Sequence, residues 1–135
     1  MRVFLDTNVL VSAFASRGLC AEVLELVLLD HDLILGRNVV REFEKALRQK
    51  VKLPIVRSTE IIDFVSSEAT QIVDKAEPAI VNVDAADALV LGEALASHAD
   101  IFVTGDAALL RLAAIGALKI VSPRQFWEVL RAGSD

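Results

Sequence analysis

Three short, wholly apolar runs, Val3-Phe4-Leu5, Leu33-Ile34-Leu35 and Ile101-Phe102-Val103, stand between much longer stretches with helical periodicity. An apolar run without alternation is a strand buried on both faces, and strands of that kind belong to parallel sheets, whose crossover helices cover both sides. The pattern predicts an α/β domain of three layers, α/β/α, around a mainly parallel sheet joined by right-handed crossovers. Ala79–Val83 and Leu118–Val121 read as two further strands, which makes a five-stranded sheet. Helical periodicity is expected over 21–29, 38–50, 58–73 and 86–96, and again in a short piece after Asp106. A last helix starts at Pro123, with Ser122 as its cap and Gln125 completing a capping box, and runs to about Arg131.

The chain has 135 residues, enough for one domain over 1–135 and too few for a second core. Apolar residues make up 54%, which excludes intrinsic disorder. No apolar run exceeds four residues and no export signal opens the chain, so a soluble, cytoplasmic protein without a membrane span is expected. Cys20 is the single cysteine, which removes internal disulfides and thiolate metal cages.

Net charge is −5, but it is unevenly spread. Residues 37–57 hold seven bases against Glu42 and Glu44, a local excess of five that leaves −10 on the rest. If the helix at 38–50 extends as far as 52, Arg37, Arg41, Lys45, Arg48 and Lys52 share a sector roughly 80° wide, opposite Val39, Phe43 and Ala46. Such a row suits a phosphate backbone, although a solvated helix face has the same appearance. With six Phe, one Trp and no Tyr, a stacking platform for bases is not expected.

Acids recur where strands are expected to end. Asp6 follows the first apolar run and Asp106 follows Ile101-Phe102-Val103-Thr104-Gly105; Asp84 and Asp87 follow Ala79–Val83, and Glu42 lies on the second turn after Leu33-Ile34-Leu35. In a parallel sheet all of these fall on the carboxyl-end rim, where ligands bind. Each Asp alone reads equally well as a helix cap. As a set they would repel one another unless a cation compensates, and an oxygen-only donor set selects a hard divalent ion, Mg²⁺ or Mn²⁺. Such an ion suits phosphodiester hydrolysis. Asn8 and Thr104, each two residues from an acid, are suited to orient those carboxylates.

The segments Phe4-Leu5-Asp6-Thr7-Asn8-Val9-Leu10, Val40-Arg41-Glu42-Phe43, Asp84-Ala85-Ala86-Asp87 and Ala99-Asp100-Ile101-Phe102-Val103-Thr104-Gly105-Asp106, in this order, resemble the PIN-domain family, in particular the VapC-like ribonuclease toxins of prokaryotic toxin–antitoxin pairs. The resemblance covers essentially the whole chain. It implies a three-layer fold, a pocket binding Mg²⁺ or Mn²⁺, and cleavage of single-stranded RNA by metal-activated water. It further implies that Asp6, Glu42, Asp87 and Asp106 form the acidic quartet, supported by Asn8 and Thr104. Relatives often carry Asp-Pro-Asp-Asp where this chain has Asp84-Ala85-Ala86-Asp87, so Asp84 is a second candidate for the third place. A separately encoded antitoxin and a homodimer are implied partners. Two other readings stay open: a haloacid-dehalogenase-like phosphohydrolase, which wants an Asp where Asn8 stands, and a silent PIN module that only binds RNA or a partner.

Overall fold

A computed structural model describes residues 1–133. In chain order the elements are β1 (Arg2–Leu5), α1 (Thr7–Ala15), α2 (Leu19–Asp30), β2 (Asp32–Gly36), α3 (Arg37–Gln49), α4 (Ile55–Glu68), β3 (Gln71–Val73), α5 (Ala85–Ala96), β4 (Ile101–Val103), α6 (Ala107–Leu110), β5 (Ala114–Ile115), β6 (Leu118–Val121) and α7 (Pro123–Gly133). The strands form one sheet in the order β3-β2-β1-β4-β6-β5. All neighbours are parallel except β5 and β6, which pair antiparallel.

The three apolar runs are the central strands β1, β2 and β4, and their residues are at most 6% exposed. Successive side chains point to opposite faces, so this burial requires helices on both sides of the sheet. Phe4 and Phe102 lie side by side on β1 and β4 with stacked rings, centroids 5.4 Å apart. The strand order turns around β1: β2 and β3 continue to one side and β4 and β6 to the other. The crevice at the carboxyl ends of β1 and β4 is therefore the switch point at which open α/β sheets bind ligands.

Several sequence expectations need correction. The sheet has six strands rather than five, because the short hairpin strand Ala114–Ile115 joins its edge. The third strand is Gln71–Val73 and not Ala79–Val83. The helix expected over 58–73 ends at Glu68; Ala69 turns extended and the Thr70 N–H donates to the Leu33 carbonyl at 2.8 Å, which draws the next residues into the sheet. Residues 79–83 form an irregular stretch, with Ile80 fully exposed and Ala79 bonded to the Ala88 carbonyl instead of a strand. Asp84 and Asp87 consequently follow a loop rather than a strand. Residues 7–15, left unassigned by periodicity, form α1. Finally, α3 stops at Gln49 and Lys52 adopts a left-handed backbone (φ 62°), so Lys52 is not part of the basic helix face.

Candidate functional site

Asp6 is the residue around which the rim is organised. Its N–H donates to the Val103 carbonyl at 3.0 Å, tying the end of β1 to β4, and its Oδ1 accepts the Thr7 N–H at 2.8 Å as the cap of α1. Oδ2 accepts the Thr104 hydroxyl at 2.8 Å and the Asn8 side-chain amide at 3.2 Å. Asn8 in turn accepts the Gly105 N–H through Oδ1 (2.9 Å), and Thr104 Oγ1 accepts the Asp106 N–H (3.0 Å). These bonds cross the β1/β4 crevice and lock the Thr104-Gly105-Asp106 turn against the start of α1. Asp106 then caps α6, accepting from the Ala108 and Leu109 N–H groups.

A cavity of about 390 Å³ opens above this network, lined by Asp6, Asn8, Glu42, Asp87 and Asp106 among others. Glu42 reaches it from α3 and accepts the Thr7 hydroxyl at 3.0 Å. Asp87 reaches it from the first turn of α5. Asp84 is not in the lining; its Oδ1 accepts the Asp87 N–H at 2.8 Å and caps α5, which separates the two candidates for the third acid by what each one touches.

The electrostatics show strain within this cluster. Burial, with only 8% of Asp6 exposed, pushes its carboxyl above the ordinary value against the hydrogen bonds from Thr104 and Thr7, and Glu42 and Asp106 push the same way. Burial also raises Asp87, to about 6, with Asp84, Asp106 and Asp6 each adding repulsion. Carboxylates that raise one another's pKa are relieved by a shared cation. Among the described residues no three His, Cys, Asp or Glu side chains are already gathered at metal-ligand spacing. The donor set nevertheless fits a hard divalent ion: oxygen-only, drawn from four segments and facing one cavity, with Asn8 and Thr104 holding the central member.

The expected basic row is partly committed elsewhere. Arg37 pairs with Asp74 at 2.9 Å and Arg48 with Glu44 at 2.5 Å, whereas Arg41 and Lys45 are exposed and belong to none of the ion pairs among the described residues.

Two residues were not singled out by sequence reasoning. Lys50 lines the acidic cavity although it lies outside the basic sector. Glu93, 1% exposed on α5, accepts both the backbone N–H (3.1 Å) and the side-chain amide (3.3 Å) of Asn38 through Oε2. It thereby supplies from another helix the N-terminal cap that Gly36 cannot give α3, and a Cβ on Gly36 would lie 2.2 Å from Glu93 Oε1. Oε1 has no partner. The sequence signal was a lone acid in the otherwise apolar stretch Ala88–Ala96. Burial raises the Glu93 pKa, opposed by the Asn38 hydrogen bonds. An acid with a raised folded pKa favours folding below its unfolded pKa and loses that contribution as pH rises through the folded value. Glu93→Gln is therefore expected to raise the melting temperature at neutral pH, by an increment that shrinks toward acidic pH. A lower melting temperature for the variant at neutral pH would show that the Asn38 bonds outweigh burial.

The family model described as PIN domain matches residues 2–108. The chain belongs to the PIN-domain family. No curated protein matches it. Among solved structures, this PIN domain is similar to VapBC2 from Rickettsia felis, bound to a DNA fragment from their promoter, with a TM-score of 0.66 and 18% identity over 90% of this chain and 98% of that one. It is also similar to VapBC-1 from nontypeable Haemophilus influenzae, with a TM-score of 0.66 and 16% identity over 92% of this chain and 99% of that one. At such identities the likeness establishes the α/β PIN fold with its mostly parallel sheet. Among the described residues, no helix is long and apolar enough to cross a membrane.

Proposed function

We propose that residues 1–135 form one metal-dependent endoribonuclease domain, the toxin of a toxin–antitoxin pair. The observation that carries this reading is the convergence of Asp6, Glu42, Asp87 and Asp106 on one cavity at the β1/β4 switch point of a PIN domain. In this reading the four carboxylates hold Mg²⁺ or Mn²⁺, with Asp84 acting as the cap that aims Asp87. When bound, such an ion would supply Lewis acidity for activating water and for offsetting charge on a phosphoryl oxygen. The chain's own contribution is orientation. Thr104 and Asn8 fix Asp6, the Thr7 hydroxyl fixes Glu42, and the α6 amides fix Asp106, so little reorganisation is left for the moment of reaction. Arg41 and Lys45 on the open face of α3 take flanking phosphates. Asn8 occupies the position where a phosphohydrolase of the dehalogenase type needs a second acid, and here its amide donates to Asp6.

The VapBC likeness supports a cognate antitoxin protein as partner; a second copy in a homodimer is proposed from the PIN-family resemblance alone. An apolar cleft of about 430 Å³ lined by Phe14, Leu24, Leu28, Leu29 and Phe64 offers a partner chain surface to cover.

The test is direct. With Mn²⁺ the purified protein is expected to cut single-stranded RNA. Cutting should stop on chelation, and lowering the pH should weaken Mn²⁺ binding, because protons compete with the cation for Asp87, which burial and its acidic neighbours raise to about 6 in the metal-free chain. Hydrolysis of small phosphomonoesters with RNA left intact would support the phosphohydrolase, and RNA binding without turnover would support a silent module.

A further inference from the structure

The cavity that gathers the acids also takes in one base. Among the described residues Lys50 is the single cation in its lining. Glu42 and Ala46 on α3 and Lys50 at its C-cap, where the backbone is still helical, follow one another at four-residue spacing as one stripe, and all three line the cavity. Ala46 is small, so the stripe presents an acid, a gap and a base. The helical rise puts its two ends about 12 Å apart. The backbone at Lys50 is held firmly: its N–H and that of Val51 both donate to the Ala46 carbonyl, at 2.9 and 3.0 Å, and the Leu53 N–H returns to the Leu47 carbonyl at 3.0 Å. Arg37 and Arg48 are engaged in ion pairs, but Lys50 belongs to none of the pairs among the described residues.

An RNA strand entering a cavity of four carboxylates meets repulsion, and a base inside the same cavity offsets it. Lys50 forms no ion pair with Glu42 or any other acid of the cavity among the described residues, so its charge is left for a ligand. A compact ammonium is well matched to a single phosphate. We infer that Lys50 is a substrate-binding residue of this site, holding the phosphate next to the one addressed at the acids; the inference rests on the nuclease reading above.

The experiment uses the full chain carrying Asp6→Asn, a background expected not to cut, and measures binding of a short single-stranded RNA of mixed sequence across a range of salt. Adding Lys50→Met should weaken binding about tenfold, the equivalent of one charge-assisted hydrogen bond. It should also flatten the logarithmic salt dependence by about 0.7, the release of one counterion from a single strand. Lys50→Arg should restore both. Lys119→Met, which removes the same charge from an exposed site on β6 outside the cavity, should leave the slope unchanged. With Asp6 intact and Mn²⁺ present, Lys50→Met should raise KM about tenfold and spare kcat, as expected for one lost phosphate contact made equally in ground and transition states. If Lys50→Met behaves like Lys119→Met, or lowers kcat with KM unchanged, the assignment to a neighbouring phosphate is wrong and the nuclease reading stands. If the Asp6→Asn chain binds no RNA and the unmutated chain cuts none, both fall together.

Discussion

Asp6→Asn is expected to abolish RNA cleavage, by roughly 10³-fold or more, without lowering the melting temperature. Removing the central carboxylate takes away the several kcal/mol that a bound cation supplies to a phosphoryl transition state. The fold should tolerate the change for reasons visible in the hydrogen bonds. An Asn carbonyl oxygen can still accept the Thr7 N–H, and the Thr104 hydroxyl, already an acceptor from the Asp106 N–H, can turn to accept from the new amide; the bond from the Asn8 amide at 3.2 Å is given up, and exposed Asn8 can turn that amide to solvent. Burial and the neighbouring acids disfavour the charge on Asp6, so its removal should not destabilise the protein. The sign is the same as for Glu93: the ionised form is the costly one, and the variant's advantage is greatest at neutral pH and vanishes in acid. Parallel assays of cleavage and thermal unfolding check both halves. Retained cleavage would remove Asp6 from the site.

Gly92→Ala is expected to give the largest loss of stability among single methyl additions in α5. Alanine is normally worth about 1 kcal/mol over glycine inside a helix. Here a Cβ would lie 1.9 Å from the Glu77 carbonyl oxygen and 3.2 Å from the Pro78 Cα, and backbone cannot swing aside as a flexible side chain can. Overpacking of this kind costs up to about 3 kcal/mol, which outweighs the helical gain and leaves a net loss of about 2 kcal/mol and a melting temperature lowered by roughly 8 °C. The segment pushed away leads directly into Asp84 and Asp87, so metal binding should weaken as well. A melting temperature equal to that of the unmutated protein would mean that residues 77–78 shift freely and do not buttress α5.

The parts of the fold that could be read in the sequence are those whose physics is local. Val3-Phe4-Leu5 and Ile101-Phe102-Val103 are buried on both faces, and a run without alternation announces that; Asp6 and Asp106 then fall on the rim by simple adjacency. The Ser122, Pro123 and Gln125 signal for the last helix rests on bonds within four residues, and both capping-box contacts are present, at 2.9 and 3.1 Å. Gln71–Val73 escaped because it is an edge strand of three residues with Gln71 and Ile72 exposed, and only its register beside β2 makes it a strand. Ala79–Val83 misled for the opposite reason: its apolar side chains suggest a strand, but among the described residues it belongs to no sheet. Lys52 was placed on a helix face by extending a period past the point where the backbone turns left-handed. Lys50 and Glu93 were missed because their significance lies in tertiary neighbours, a cavity in one case and the bare Cα of Gly36 in the other, which periodicity does not carry.

Calorimetric titration of Mn²⁺ into the metal-free protein, repeated with Asp6→Asn and with Asp106→Asn, tests most directly whether acids from separate segments act as one cation site. Saturable binding that weakens at least about tenfold in each variant, a loss of about 1.4 kcal/mol or more, is the predicted result. No saturable binding to the unmutated chain, or binding that neither substitution weakens, would contradict it.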